Sequence, residues 1–166
     1  MVIFDASTLI LLAKVDLLDL FISDYAGQVL IPCKVKEEVL RKDSVDAPQI
    51  AGSINDGKIK VLEANDRSLH RKLMSDFNID LGEAETIALA LHKKGAVVAT
   101  DDRNAIRACK FLKIDFVTAI SILIRAVEKR LLDKSEAVLK LEKLESIGRY
   151  KKSIIANAIR QIKGGD

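Results

Sequence analysis

The sequence predicts an α/β protein with a central parallel β-sheet of about five strands, flanked by helices and followed by a C-terminal helical extension. Short β-type runs alternate along the chain with helical stretches, which is the pattern of parallel βαβ units with right-handed crossovers. About half of the 166 residues are apolar and 4% are aromatic, a profile of α and α/β proteins. Only two prolines occur, and no internal repeat or low-complexity segment interrupts the alternation.

Five short apolar runs are predicted to be strands. The first is too brief for a helix, and the third alternates charged and apolar residues as a half-buried edge strand does. The fourth is a continuous β-type run, which is typical of a strand covered on both faces. In chain order the predicted strands are 2–4, 28–32, 58–64, 96–100 and 114–117.

Helical spacing of apolar residues between these runs predicts the helices. The pattern after the first strand is broken near Lys14, so we expect one helix there and room for a second, short one. Segment 43–57 contains Pro48, Gly52 and Gly57, which predict a loop with at most one short helix. Gly95 is predicted to cap the helix before the fourth strand. The remaining helices are predicted at 35–42, 66–75, 81–94, 101–112, 118–132, 134–146 and 153–162.

Length and cysteine content set the expected organisation. We expect one domain at 1–166, with an α/β core at 1–118 and a helical tail at 119–166, because this length suits one ordinary core. Cys33 and Cys109 lack a CxxC partner, so we expect buried free thiols and a reducing, cytoplasmic setting. Charged residues interrupt the apolar N-terminus, which predicts neither a signal peptide nor a membrane span.

The formal net charge of +3 conceals an uneven distribution. Residues 120–166 carry eleven Lys or Arg against six acids, whereas residues 1–119 carry sixteen against eighteen. A basic flank beside an acidic region suits a polyanion held by its phosphates, although many solvated helices share this composition. Lys151 and Lys152 are the candidates for such contacts in the tail.

Acidic residues recur where a predicted strand ends or a helix begins. They are Asp5, Glu38, the pair Glu83 and Glu85, and the pair Asp101 and Asp102. In an open parallel sheet, ligands bind beyond the carboxyl ends of the strands. Acids that converge there would suit a hard divalent cation such as Mg²⁺ or Mn²⁺.

Each acid also has a purely structural interpretation. Asp5, and either Asp101 or Asp102, could cap the helices that follow. Glu83 stands three residues after Asp80, at the spacing of a capping box, and Glu38 could pair with Lys34 or Lys42 on its own helix. Separate caps do not explain two adjacent carboxylates after a buried strand, because such carboxylates repel each other unless a positive charge lies between them.

Four segments resemble, in order, the motifs of the PIN-domain ribonucleases. They are DASTLI, IPCKVKEEVL, LGEAETIALAL and TDDRNAIRAC. The third and fourth are similar to the G-E-x-E and D-D-R forms of a prokaryotic, VapC-toxin-like branch, and the tail LESIGRYKKSIIANAI resembles the helical extension of that branch. The resemblance covers essentially the whole chain and implies a PIN-like fold.

The resemblance also implies a function and a set of site residues. It implies a Mg²⁺- or Mn²⁺-dependent endoribonuclease that hydrolyses single-stranded RNA, and it leaves open a toxin role with an antitoxin partner. The implied catalytic and metal-site acids are Asp5, Glu38, Glu83, Asp101 and Asp102. Ser7 would position water or substrate, with a helix N-cap as the equal alternative for its hydroxyl. Arg103 and Arg107 are candidates for phosphate contacts, with a solvated helix surface as the alternative, and His70 and His92 are expected only to pack or face solvent.

The third motif contains two acids, and the sequence favours one of them. Residues two apart on a helix point about 200° away from each other, so Glu83 and Glu85 cannot both face one ion equally. Glu83 directly follows Gly82 in the first turn, nearest the strand ends, and Glu85 is therefore kept in reserve.

Other classes of protein also place an Asp at a strand end. Phosphoaspartyl phosphatases need a D-x-D pair, which DAS does not supply, and no convincing set of receiver-domain residues is present. A non-catalytic PIN-like module that binds nucleic acid or protein remains the alternative. We also expect a homodimer or small oligomer, because the leucines of 9–21 occupy more than one helix face and would leave apolar surface exposed.

Overall fold

The structure is a computed structural model and describes residues 1–41 and 46–164. Lys42, at the end of a predicted helix, and residues 43–45 of the predicted loop lie outside the described residues. The described strands are β1 (Val2–Phe4), β2 (Val29–Pro32), β3 (Ile59–Leu62), β4 (Val97–Ala99) and β5 (Asp115–Val117).

These strands form one parallel sheet in the order β3-β2-β1-β4-β5. The predicted α/β fold class is therefore confirmed, and β3 is an edge strand as its alternating pattern predicted. The chain order reverses between β1 and β4, which makes the carboxyl ends of these two neighbours a topological switch point.

Ten helices lie within the described residues. All of the predicted helices are found, with ends that shift by a few residues, and the break after Lys14 separates two helices. The helices are α1 (Ala6–Lys14), α2 (Leu18–Asp24), α3 (Cys33–Arg41), α4 (Ala47–Asn55), α5 (Arg67–Phe77), α6 (Leu81–His92), α7 (Arg103–Leu112), α8 (Ala119–Glu128), α9 (Lys134–Ile147) and α10 (Lys152–Lys163).

Two local predictions need correction. Gly95 does not cap α6: Lys93 is the C-cap, and Gly95 lies in the turn before β4 with a φ of 75°. Glycine is still needed there, because few other residues adopt a positive φ without strain. Cys33 is only half-buried, whereas Cys109 is buried, and both thiols are free.

The sheet separates two apolar clusters. Phe4 points into the cluster formed with α1, α2, α8 and the tail helices, and Ile3 points into the cluster formed with α5, α6 and α7. Consecutive strand residues face opposite sides, so the central strand β1 is buried throughout. Because β1 contributes to both clusters, its carboxyl end is held firmly in place.

Most of the leucines of 9–21 are buried, whereas Leu11 and Leu20 are only partly buried, and the oligomer stays a prediction. Leu9, Leu12, Leu17 and Leu18 are at most 1% accessible. The tail supplies part of the cover, since Leu141 and Leu144 belong to the same cluster and Lys140 Nζ donates to the Val15 carbonyl at 2.9 Å. Within the described residues, we find no helix with the length and hydropathy to cross a membrane.

Candidate functional site

Four of the predicted site residues line one pocket at the carboxyl edge of the sheet. The pocket has a volume of about 370 Å³. Asp5 follows β1 directly, Glu38 lies in α3 after β2, and Glu83 lies in the first turn of α6. The lining residues are Asp5, Ala6, Ser7, Ile10, Glu38, Arg41, Asp80 and Glu83.

Asp5 is the most enclosed of these acids, with 2% of its surface accessible. Its Oδ1 accepts from the Thr8 backbone N–H at 2.8 Å and from Ser7 Oγ at 3.2 Å, so Asp5 does cap α1. Its Oδ2 is buried and accepts no well-formed hydrogen bond from the described residues. A cap accounts for one carboxylate oxygen and leaves the other without a structural role.

Burial dominates the electrostatics of Asp5. It raises the pKa of this carboxyl from an ordinary 3.8 to about 6, while the neighbouring hydroxyls of Thr100 and Thr8 lower it and the charge of Asp101 raises it further. A charged carboxylate in this position therefore costs free energy unless a positive group is nearby.

Glu38 lies against the start of α6. A Cβ atom at Gly82 would lie only 3.0 Å from Glu38 Oε1 and 3.1 Å from Oε2. The missing side chain at Gly82 therefore allows the Glu38 carboxylate to approach the first turn of α6, next to Glu83. This close approach gives the glycine of the third motif a physical reason.

Glu83 both caps a helix and faces the pocket. Its side chain accepts from the Asp80 backbone N–H at 2.9 Å, and Asp80 Oδ1 accepts from the Glu83 N–H at 2.9 Å, which confirms the predicted capping box. Burial raises the pKa of Glu83 to about 7, and the charges of Asp80, Asp102 and Asp5 add to the increase. The structural interpretation is thus correct, and it does not remove Glu83 from the acidic pocket.

Glu85 has a different position from Glu83. Its Oε2 accepts from the Lys34 backbone N–H at 3.1 Å, at the start of α3, and it does not line the pocket. The helical geometry that separates residues two apart explains why only one of these glutamates reaches the pocket.

Asp101 and Asp102 lie beside the pocket rather than in its lining. Both oxygens of Asp101 already accept hydrogen bonds: Oδ2 from Thr8 Oγ1 and from the Ala119 N–H, each at 3.0 Å, and Oδ1 from the Tyr150 hydroxyl at 2.8 Å. Burial raises the pKa of Asp101, although these donors oppose the rise. Asp101 thus connects α1, α8 and the tail beneath Asp5.

Asp102 caps α7, as one of the structural interpretations predicted. Its Oδ1 accepts from the N–H groups of Asn104 and Ala105 at 2.7 and 2.9 Å. Its own N–H donates to Thr100 Oγ1 at 3.2 Å. Its charge still raises the pKa of Glu83, so Asp102 contributes negative potential to the pocket from its border.

Tyr150 is the residue that sequence analysis missed. It is separated from Asp101 by 49 positions, and no local pattern reports a contact of that range. The available signal was weak: an aromatic residue next to Lys151 in an otherwise basic, aliphatic tail. Burial and the negative charge of Asp101 raise the pKa of Tyr150, so its hydroxyl stays protonated and donates.

The predicted basic contacts all lie on exposed surface, and one of them also has a structural contact. Arg103 is exposed in the first turn of α7, whereas Arg107 Nη2 donates to the Phe77 carbonyl at 3.2 Å and helps attach α7 to α5. Lys151 and Lys152 are exposed at the start of α10, directly after Tyr150.

The two histidines differ in burial. His70 is buried and His92 is exposed, and neither lines the acidic pocket.

The donors fit a hard, hydrated cation better than a closed cage. No group of three or more His, Cys, Asp or Glu side chains within 1–41 and 46–164 is arranged closely enough to hold an ion by itself. The unpartnered Asp5 Oδ2 and the glutamates beside it are hard oxygen donors. Mg²⁺ keeps several waters and usually takes only one or two carboxylates, and this donor set is of that kind.

Comparison with models of protein families matches residues 1–164 to the family described as DUF3368: PIN domain. No curated protein and no solved structure matches the chain.

Proposed function

The chain belongs to the PIN-domain family, whose members are generally nucleases that use divalent metals, and we propose that it is a Mg²⁺- or Mn²⁺-dependent endoribonuclease acting on single-stranded RNA. One observation carries the proposal: the buried Asp5 has an unpartnered Oδ2 and shares a pocket with Glu38 and Glu83. The pKa values of Asp5 and Glu83 are raised to about 6 and about 7, so a bound cation would favour the charged form of both carboxyls.

The proposed roles follow from the contacts of each residue. Asp5, Glu38 and Glu83 would hold the ion in part through its bound waters, with Asp102 adding negative potential from the border and Glu85 in reserve. When bound, such an ion activates a water and stabilises the oxygen that leaves a phosphodiester. Ser7 lines the same pocket and would orient water or substrate, while Asp101 would act through Thr8 and Tyr150 to hold α1 and Asp5 in position.

The substrate must approach an acidic pocket, so cations at its edge are needed. Arg41 lines the pocket, and Arg103, Lys151 and Lys152 are exposed near residues that border it. These side chains would contact the phosphates on either side of the cleaved bond, and binding should therefore weaken as salt concentration rises.

The finer assignment is a VapC-like toxin silenced by an antitoxin protein, with the chain acting as a homodimer or small oligomer. Support for it comes from the resemblance of the third and fourth motifs and of the tail. The alternative is a non-catalytic PIN-like module that binds nucleic acid or protein. The buried Oδ2 of Asp5 accepts no well-formed hydrogen bond from the described residues, which favours a bound ion at this position. Cleavage of RNA then distinguishes a nuclease from a module that only binds.

The proposal predicts that Mn²⁺ or Mg²⁺ both stabilises the protein and permits RNA cleavage. A ligand bound only by the folded state raises Tm by mass action, by the equivalent of about 2.7 kcal/mol at one hundred times Kd. We expect single-stranded RNA to be cleaved with either ion and to stay intact in EDTA. Calorimetry at millimolar Mn²⁺ without heat of binding would contradict the metal site, and binding without cleavage would favour the non-catalytic module.

A second expectation concerns Tyr150. Tyr150→Phe removes the donor to Asp101 Oδ1 while keeping the ring, so turnover should fall about tenfold, within the 10–100-fold range typical of groups that orient metal ligands. The KM for RNA should hardly change, because the hydroxyl is not expected to touch substrate. Tyr25→Phe is the matched control, since Tyr25 stacks on Phe21 away from the pocket with 5.2 Å between the ring centroids. Equal turnover of both variants would remove Tyr150 from the mechanism.

A further inference from the structure

Helix α7 presents a surface of which the proposed function uses only Arg103. Its buried face consists of Ala105, Ala108 and Cys109, and its opposite face carries Arg103, Arg107, Lys110 and Phe111, all exposed. These residues follow the i, i+4, i+7, i+8 spacing of one helix face. The helix contains no acidic residue, and Lys113 continues the basic character at its C-cap.

Phe111 is the unusual member of this surface. With 76% of its area accessible, it is the most exposed of the large apolar side chains within the described residues. It is not loose, because its ring packs edge-to-face on the buried Phe77 with 5.7 Å between centroids and 61° between planes. One part of the ring is thus supported and the rest faces solvent.

The cations around Phe111 are held in place as well. Lys110 Nζ lies 5.8 Å from the centroid of the Phe116 ring, and Arg107 donates to the Phe77 carbonyl. The acidic residue of the neighbouring helix α5, Asp76, forms an ion pair with Lys72 at 3.2 Å. The surface therefore combines fixed positive charge with a supported aromatic ring.

We propose that the exposed face of α7, from Arg103 to Phe111, binds the single-stranded RNA substrate outside the acidic pocket, with Phe111 stacking on a base. The proposal rests on the proposed function. Charge complementarity favours a polyanion, and the bare ring favours one with exposed bases, because aromatic side chains among cations are how proteins hold single strands. The surface is continuous with the pocket, since Asp102 at the pocket border caps α7 and Phe111 lies about 14 Å further along the helix axis.

The chain has no tryptophan, which allows a direct test. Phe111→Trp introduces a single indole at the proposed stacking position, and Leu139→Trp introduces one at a similarly exposed position, 66% accessible, in α9. Titration with a short single-stranded RNA in EDTA, which prevents cleavage, should strongly quench the indole fluorescence of the Phe111→Trp variant and leave that of the control almost unchanged. Polyphosphate, which has charge but no bases, should compete for binding without quenching.

Affinity measurements complete the test. Phe111→Ala should weaken RNA binding about tenfold, in line with the loss of one stacked base. Phe111→Tyr keeps an aromatic ring and should bind RNA as tightly as the native protein does. Phe111→Leu keeps apolar bulk without a ring and should bind RNA more weakly than the native protein does. Unchanged binding by the Ala variant, or equal quenching in the two tryptophan variants, would overturn the proposal and leave Phe111 to a contact with a protein. If the native protein cleaves RNA but the Phe111 variants bind it normally, the proposed function stands and the α7 binding surface is refuted. If the native protein neither binds nor cleaves RNA, the proposed function and the α7 binding surface are both refuted.

Discussion

Asp5→Asn is expected to abolish RNA cleavage without unfolding the protein. The substitution keeps the shape and the hydrogen-bonding capacity of the side chain, and Asn caps helices about as well as Asp, so the contact with the Thr8 N–H should survive. What is lost is the charge of the buried, unpartnered oxygen. We expect turnover to fall by more than about 100-fold, beyond the 10–100-fold loss typical of groups that only support a metal ligand.

The matched control is Asp133→Asn. Asp133 caps α9 in the same manner, accepting from the Glu136 N–H at 2.8 Å, and it is exposed. If Asp5 acts only as a cap, the two variants should behave alike in both Tm and turnover. An Asp5→Asn protein that cleaves RNA at the native rate would refute the proposed mechanism, whereas loss of Mn²⁺ binding together with loss of cleavage would support it.

The second large effect is a loss of stability with rising pH in the metal-free protein. The pKa of Asp5 is about 6 in the folded state and 3.8 ordinarily, so between these values the folded state binds more protons than the unfolded state. The free energy of unfolding must then decrease as pH rises through this window. The contribution of the protonated Asp5 is fully present below about pH 4 and lost above about pH 6. This difference in pKa corresponds to roughly 3 kcal/mol.

The measurement compares the native protein with Asp5→Asn in EDTA. Unfolding by urea at a series of pH values from about 4 to 8 should show the native protein losing about 3 kcal/mol more than the variant, while the contributions of acids far from Asp5 cancel. Mn²⁺ should restore the native protein at high pH and hardly affect the variant, because the ion binds the deprotonated carboxylate. Parallel pH profiles of the two proteins would contradict the raised pKa of Asp5.

Local chemistry explains why much of the fold was predictable. The strands could be read from short β-type runs, and the capping box of Asp80 and Glu83 from a spacing of three, because both signals come from residues close together in the chain. The family motifs added the order of the acids. Convergence of Asp5, Glu38 and Glu83 then followed from a general property of parallel sheets, whose carboxyl ends share one edge.

Gly95 shows where local reasoning failed, and the leucines of 9–21 show what it leaves open. The glycine signal was real, yet whether a positive φ falls at a helix cap or in the following turn depends on where the next strand begins. The buried leucines of α1 belong to a cluster that also contains Leu141 and Leu144 of α9, which are distant in the sequence. The spacing of apolar residues along a helix predicts which side chains are buried, but it does not predict which distant segments pack against them.

The sequence alone therefore determined the class of fold, the edge of the sheet at which the acids collect and the type of donor that they offer. Only the tertiary structure decided which acids share the pocket: it assigns Glu85 to the start of α3, and gives both oxygens of Asp101 to Thr8, Ala119 and Tyr150. The tertiary structure also decided that Asp5 Oδ2 is buried and accepts no hydrogen bond from the described residues. The physical reason is that donor type and helix phase are properties of the local chain, whereas the partners of a carboxylate depend on which distant segments pack around it.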